Sequence, residues 1–246
     1  LLAFFVTYFS QTGDAGFDGF NRMTASLLNL NLLMVPLISL LMGSLFLAGE
    51  KEDSGLLLLL TYPVSTGSVL AGKYFGLYIS LAAVITCGYG AALLPMYVLN
   101  SAADFGVIIK FYALSLLLAA IFVAVSVFIG IQSRSRFQAL GISLIVWAAS
   151  VLFYEFILMA VTLFLPSQSV LAVLTASVFL NPVEIIRVWA ILSMDGASVF
   201  GPSLYEMTVW ASGWQGTAMF IISIILWTVL PLFICSRLLK RGIEND

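Results

Sequence analysis

Long stretches of this chain contain no charged side chain, among them residues 23–49, 74–103, 111–133, 138–154 and 207–236. Most are long enough for an α-helix to cross a bilayer, which takes roughly 20 apolar residues. Of the 246 residues, 62% are hydrophobic and only 9% are charged, against about 25% charged residues in ordinary soluble domains. The sequence therefore predicts an all-α polytopic membrane protein.

The uncharged stretches define the predicted membrane spans. We place them at approximately 27–48, 74–98, 107–131, 137–165 and 217–236. Residues 1–9 are apolar but too short to cross, and we interpret them as the end of a truncated first span, which makes six in total. A signal peptide is the alternative, although no basic segment or small-residue cleavage site is visible. We expect one transmembrane domain over 1–246.

The Lys and Arg residues predict which side of the membrane each loop faces, because they accumulate in short cytoplasmic loops. If the loop 49–73 is cytoplasmic, seven of the ten basic residues lie inside: Lys51, Lys73, Arg134, Arg136, Arg237, Lys240 and Arg241. The other three, Arg22, Lys110 and Arg187, then lie outside. We therefore expect both termini in the cytoplasm and a long outer loop at 166–216.

Several kinds of chemistry lack the side chains that they need. The chain has no histidine, and Cys87 and Cys235 both lie in predicted spans, which excludes His-based triads, CxxC motifs and most zinc sites. A P-loop needs Gly-x-x-x-x-Gly-Lys followed by Ser or Thr, but Gly72 and Lys73 are followed by Tyr74. We expect a non-catalytic chain that binds no metal, no cofactor and no nucleic acid.

A short charged segment separates the first two uncharged stretches. Its four charges, at residues 50–53, precede the Leu-rich run 55–60, which ends near Tyr62 and Pro63. A helix of that length is too short to span, so we expect it to lie along the membrane surface between charges that stay out of hydrocarbon. The pattern indicates a docking element for another protein. The alternative is an ordinary charged loop with a Leu-rich interfacial stretch.

The order of these residues resembles the first cytoplasmic loop of type-2 ABC transporter permeases. That loop has an acidic pair, a small residue, a Leu-rich helix, a Pro-containing turn and a Gly-Lys before the next span, as residues 49–65 and 70–73 do. The resemblance implies that the loop 49–73 holds a cytoplasmic coupling helix, at 54–62, which inserts into a groove of a separate ATPase. It assigns this contact to Glu50, Glu52, Asp53, Gly55, Leu58, Tyr62, Pro63 and Lys73.

The resemblance also implies how such a transporter is assembled. Two copies of this permease would work with two cytoplasmic ABC ATPase subunits in the bacterial inner membrane. ATP and Mg would bind at the ATPase subunits and not at this chain. Closure of the ATPase subunits would move the coupling helix as a rigid lever and change the packing of the spans beside it.

The outer loop 166–216 is predicted to contain short helices. Residues 169–180 are apolar but too short to cross, which is typical of a re-entrant or interfacial helix. A second helix follows, since Asn181 suits the N-cap, Pro182 suits the first helical position and Glu184 lies three residues after the cap. Glu184 and Arg187 are spaced to pair on this helix.

This Asn-Pro-x-acid-x-x-Arg segment resembles permeases of nitrous oxide reductase maturation systems. Such permeases work with an ATPase and with a periplasmic copper-handling β-helix protein. The resemblance implies that Asn181, Pro182, Glu184 and Arg187 contact that periplasmic partner. The alternative is a capped interfacial helix in a permease for another cargo, such as a drug, a peptide, sodium or a polysaccharide precursor. The eight methionines lack Met-x-x-Met spacing, so the ligand pattern does not support copper conduction.

Glu155 is the one charge deep within a predicted span. A carboxylate in hydrocarbon is costly unless it is paired, hydrated or protonated, so an intramembrane ionisable residue is a functional candidate. Alternatively, the span 137–165 is long and tilted, so that Glu155 lies near the outer headgroups, or Glu155 bonds to the neighbouring Tyr154 or to a Ser. One acidic residue is too few for an intramembrane enzyme. A passive channel would leave the acidic segment unexplained.

Overall fold

The computed structural model describes residues 22–53, 55, 65–98, 105–194 and 205–244. Every regular element in these ranges is a helix, which confirms the predicted all-α fold. In chain order they are α1 (Arg22–Glu52), α2 (Thr66–Val98), α3 (Phe105–Gln132), α4 (Arg136–Trp147), a π-helix (Ala148–Phe153), α5 (Tyr154–Phe164), α6 (Ser167–Leu180), α7 (Pro182–Ser193), α8 (Tyr205–Ser212) and α9 (Trp214–Glu244).

Five helical segments among the described residues are long and apolar enough to cross a membrane. They are Ala25–Glu52, Thr66–Ala91, Gly106–Gln132, Arg136–Phe164 and Trp214–Leu239. Each overlaps one of the predicted spans, and the fourth combines α4, the π-helix and α5. The predicted truncated span at 1–9 lies outside the described residues.

The helices around the predicted loop 49–73 are longer than the sequence indicated. Helix α1 continues to Glu52, and α2 begins at Thr66. Ser65 explains the early start of α2, because its hydroxyl accepts a hydrogen bond from the backbone N–H of Ser68 at 3.2 Å, as an N-cap residue does. Lys73 therefore lies in the second turn of α2 and not at its start.

Helix α3 is the central span, and it packs closely against α1 through small residues. A Cβ atom on Gly43 would overlap with the Ser126 side chain. A Cβ atom on Gly130 would lie 2.6 Å from the Leu47 Cβ and 3.0 Å from the Ser44 carbonyl oxygen. Small residues at such contacts let membrane helices approach each other closely. The fold thus depends on glycine at these two positions.

Helices α6 and α7 form a bent pair, which we call the hairpin. The bend is 112°, and it falls at Asn181, whose backbone is extended between the two helices. Helix α7 is not on the surface of the bundle, since Val183, Ile185 and Ile186 are at most 1% exposed. The hairpin is therefore part of the core that α1, α3 and α9 share.

Candidate functional site

The end of α1 carries the acidic segment on an ordered helical turn. Glu50 and Glu52 lie in the last turn of α1. Asp53 follows it, and its backbone N–H donates to the carbonyl oxygen of Gly49 at 2.9 Å. Side chains from this turn contact three other helices. We call the group the junction, and it consists of Glu50, Lys51, Glu52, Asp53, Lys73 and Arg136.

An ion pair between Glu50 and Lys73 joins α1 to α2. Both side chains are largely buried. The ammonium group of Lys73 also lies 5.3 Å from the centroid of the Phe46 ring, within the range of a cation–π interaction. Glu50, which the family resemblance assigned to a contact with a partner protein, thus has its cation within this chain.

Arg136 joins α1 to α4. Its Nη2 lies 2.5 Å from Asp53 Oδ2, and its Nε lies 3.6 Å from Glu52 Oε2. Its backbone N–H also donates to Glu52 Oε2 at 3.2 Å, where the positive end of the α4 dipole favours a carboxylate. Gly49 leaves room for the guanidinium group, since a Cβ atom there would lie 2.8 Å from Arg136 Nε.

Lys51 joins α1 to the end of α3. Its Nζ donates to the carbonyl oxygen of Ile131 at 2.8 Å. Carbonyl groups in the last turn of a helix have no partner within that helix, and a cation there is favourable. The last turn of α1 is therefore connected to α2, α3 and α4 at once.

The junction brings together half of the predicted coupling residues, namely Glu50, Glu52, Asp53 and Lys73. Gly55 is also described and is exposed. The others, Leu58, Tyr62 and Pro63, lie outside the described residues. Sequence reasoning missed Arg136 as a member of this site, because it lies 83 residues from Asp53 and no spacing rule connects them.

A second charged group lies where the hairpin meets the fourth span. Arg187 Nη1 lies 2.9 Å from Glu184 Oε1 one turn earlier, which confirms the predicted pairing. The same nitrogen forms an ion pair with Glu155 in the first turn of α5. Glu155 is about half exposed, and the guanidinium group of Arg187 balances its charge. We call Glu155, Asn181, Glu184 and Arg187 the hairpin cluster.

Asn181 is bonded through both ends of its side-chain amide. Its Oδ1 accepts from the backbone N–H of Val183 at 3.0 Å, which confirms the predicted N-cap. Its Nδ2 donates to the carbonyl oxygen of Ser150 at 2.7 Å. Pro182 is buried at the first helical position. The side chain of Glu184 is directed to Arg187, and the cap is completed by Asn181 itself.

Sequence reasoning also missed a polar network between α1, α2 and α3. Asn31 Nδ2 donates to Ser115 Oγ at 2.6 Å, and the hydroxyls of Ser115 and Tyr89 share a hydrogen bond of 2.8 Å. Thr86 and Tyr112 share another of 2.8 Å. These residues are scattered in the sequence and join the spans by hydrogen bonds. Within the described ranges, no three Cys, Asp or Glu side chains are grouped to hold a metal ion.

The fold and these two charged groups define a multi-pass membrane protein whose helices are joined by ion pairs. A family model described as ABC-2 family transporter protein matches residues 3–242. Because the match covers nearly the whole chain, the protein belongs to the ABC-2 transporter family.

The chain is similar to two proteins that are named probable ABC transporter permease protein NosY. It is 27% identical to the one from Stutzerimonas stutzeri over 236 residues, which cover 94% of this chain and 84% of that protein. It is 29% identical to the one from Pseudomonas aeruginosa PAO1 over 223 residues, which cover 85% and 81%. The chain is thus the permease subunit of an ABC-2 type transporter, and such subunits are non-catalytic.

Proposed function

We propose that this permease converts ATP binding and hydrolysis by a separate cytoplasmic ATPase subunit into movement of its own spans. The observation that carries the proposal is the junction. The last turn of α1 is bonded to α2, α3 and α4, and the predicted coupling segment 54–62 follows it directly. A force on that segment would act on four helices together.

The junction supports a division of labour among its carboxylates. Glu50 and Lys73 are largely buried, so we assign them to holding α1 against α2. The side chains of Glu52 and Asp53 are 46% and 68% exposed. These two carboxylates are the ones that can exchange Arg136 for a basic residue of the ATPase, while Leu58, Tyr62 and Pro63 remain assigned to its groove.

Co-purification with the ATPase subunit tests this assignment. We expect Asp53→Lys and Glu52→Lys to reduce the amount of bound ATPase several-fold, whereas Glu50→Gln should leave binding intact and reduce the ATPase activity that the permease supports. Arg237→Gln is the matched control, because Arg237 contacts Phe233 in α9 and not the junction. Equal binding by the wild type and both lysine variants would refute the docking role.

We further propose that the transporter serves the maturation of the copper site of nitrous oxide reductase. The support is the resemblance of the segment containing Asn181, Glu184 and Arg187 to permeases of that system, together with the names of the relatives. Asn181 and Pro182 are buried, so they would act on a periplasmic copper-handling partner by shaping the hairpin. The transported species would be a copper or sulfur compound, or mechanical force would pass to the partner.

Deletion of the gene in a host that makes the reductase tests the process. We expect reductase that lacks its full copper content and its activity, and restoration of both by the wild-type gene. If the reductase has its full copper content without this permease, the assignment to reductase maturation is wrong. The alternative, a type-2 ABC exporter for another cargo, is then favoured. That outcome leaves the coupling role of the junction intact.

A second copy of the chain is part of the proposal. Besides the family resemblance, it is supported by the span Arg136–Phe164, which is the least buried of the five described spans, whereas Gly106–Gln132 is the most buried. We expect Phe156→Cys, in a Cys87→Ala background, to cross-link two copies in membranes. If single cysteines introduced along the exposed face of this span all give only monomer after cross-linking, the dimer is contradicted.

A further inference from the structure

The fourth span is not a continuous α-helix. Between α4 and α5 it contains the π-helix Ala148–Phe153. A π-helix places an additional residue in each turn, is rare, and is often found at functional sites. Its backbone is less favourable than that of an α-helix, so contacts from other elements are needed to hold it in place.

The hairpin contacts this π-helix and the turn that follows it at three points. Asn181 Nδ2 donates to the carbonyl oxygen of Ser150 at 2.7 Å. The Tyr154 hydroxyl donates to the carbonyl oxygen of Ser177 at 2.6 Å. The third contact is the ion pair of Arg187 with Glu155. Residues 150, 154 and 155 all contact the hairpin, which therefore covers this part of the span.

Asn181 is suited to both of its roles at once. It is 2% exposed, so its amide is shielded from bulk solvent. The oxygen caps α7, and the nitrogen satisfies a carbonyl of the π-helix. Asp and Ser are equally good caps, but Asp has no donor and Ser is too short to reach Ser150 in the same way. Only the amide provides both bonds here.

The opposite end of α7 is held by a different span. Lys110 Nζ, from the first turns of α3, donates to the carbonyl oxygen of Ser193 at 2.5 Å. Helix α7 thus has its N-cap residue, Asn181, bonded to the π-helix and its last residue, Ser193, bonded to α3. A change in the fourth span therefore acts on the beginning of α7, while α3 keeps the end of α7 in place.

We propose that Asn181 is a positioning residue that maintains the π-helix of the fourth span, and that Arg187 and Glu155 make the hairpin follow that span when it moves. Asn181 selects the π geometry by satisfying the carbonyl of Ser150. Arg187, shared between a carboxylate of the hairpin and one of the span, transmits the displacement. This inference is independent of the ATPase and of the cargo.

Hydrogen–deuterium exchange on the full chain in lipid nanodiscs tests the role of Asn181. We compare the wild type with Asn181→Asp and Asn181→Ser, which keep the cap. Loss of one buried hydrogen bond should speed exchange by about three- to tenfold at residues 148–156, with no change at 110–130. A uniform increase over the whole chain would indicate general destabilisation and would overturn the proposal. The proposal would also be overturned if both variants exchanged at the wild-type rate at residues 148–156.

Two further variants separate the link through Arg187 from that through Asn181. Glu155→Gln should speed exchange at residues 182–188 and leave the cap bond of Asn181 intact. Thr162→Val is the matched control, because it removes a hydrogen bond within α5, from Thr162 to the Met159 carbonyl, that does not involve the hairpin. The assignment of Arg187 would be overturned if the hairpin exchanged faster in the control. It would also be overturned if exchange in Glu155→Gln were no faster than in the wild type.

Discussion

The junction and the hairpin cluster both place one arginine between two carboxylates, but they do so in different surroundings. Arg136 and its partners are about half exposed or more, whereas the side chains of Arg187 and Glu184 are only 21% and 14% exposed. Exposed ion pairs contribute little and can be exchanged. Breaking a buried pair leaves an uncompensated charge. The ion pairs of Arg136 in the junction are therefore suited to exchanging partners, and the hairpin cluster is suited to a lasting attachment.

Removing each arginine in turn gives the largest expected difference. Arg187→Leu leaves Glu184 and Glu155 without a cation and should lower the free energy of unfolding by about 3 kcal/mol or more. Arg136→Leu should lower it by at most about 1 kcal/mol. Thermal unfolding can be followed with a thiol-reactive dye at the buried Cys235 in a Cys87→Ala background, because Cys87 is exposed. Equal losses would remove the distinction between the two sites.

A change in the contact between α1 and α3 should affect the junction and spare the hairpin. Gly130→Val would place methyl groups against Leu47 and Ser44 and should destabilise the protein by about 1 to 3 kcal/mol. It should also speed exchange at residues 49–53, because Lys51 would lose its contact with Ile131. Gly76→Ala is the control, since nothing lies within 4 Å of the added Cβ. Faster exchange at 182–188 would show that the two regions are coupled.

A double-mutant cycle measures each pair directly. Charge reversal of Glu52 and Arg136 should give a coupling energy below about 1 kcal/mol. The doubly reversed variant should regain most of the lost stability, because solvent screens the new repulsion between the exposed Asp53 and the carboxylate at position 136. The corresponding reversal of Glu184 and Arg187 should give a larger coupling energy, and the double variant should recover only in part because Glu155 would then face a second carboxylate. The same dye assay reads both cycles.

Salt should produce the smallest effect. Raising NaCl from about 0.05 to about 0.5 M shortens the Debye length to a few ångströms, which should weaken the pairs of Arg136 by a few tenths of a kcal/mol. Exchange at residues 50–53 and 134–138 should become faster, while exchange at 182–188 should not change. If both regions respond alike, the hairpin cluster is more accessible to ions than its burial indicates.

Local patterns predicted much of the hairpin cluster. Asn181, Pro182 and the spacing of Glu184 to Arg187 follow rules that act within one helix turn, and the structure confirms the cap and the pair. Glu155 was open to two interpretations in the sequence. Its ion pair with Arg187 depends on how the hairpin folds back, which no spacing within the chain reports.

The junction was predicted only in part. The acidic segment was identified from its charges, but its partners were expected in another protein. Lys73 and Arg136 lie 23 and 83 residues from the carboxylates that they pair with, so only the packing of the spans brings them together. The π-helix had no signal in the sequence at all, because its residues are ordinary helix formers and its geometry is held by the hairpin.

The sequence by itself determined that this protein is an all-helical membrane protein, because apolar runs of this length can cross a bilayer, where a helix satisfies every backbone hydrogen bond internally. It also determined the helix start at Asn181, which depends on neighbours in the chain. The tertiary structure decided which charges pair. Ion pairs form between side chains that are close in space, and in a bundle of long helices the ends of distant segments become neighbours only when the small residues of α1 and α3 let the spans pack.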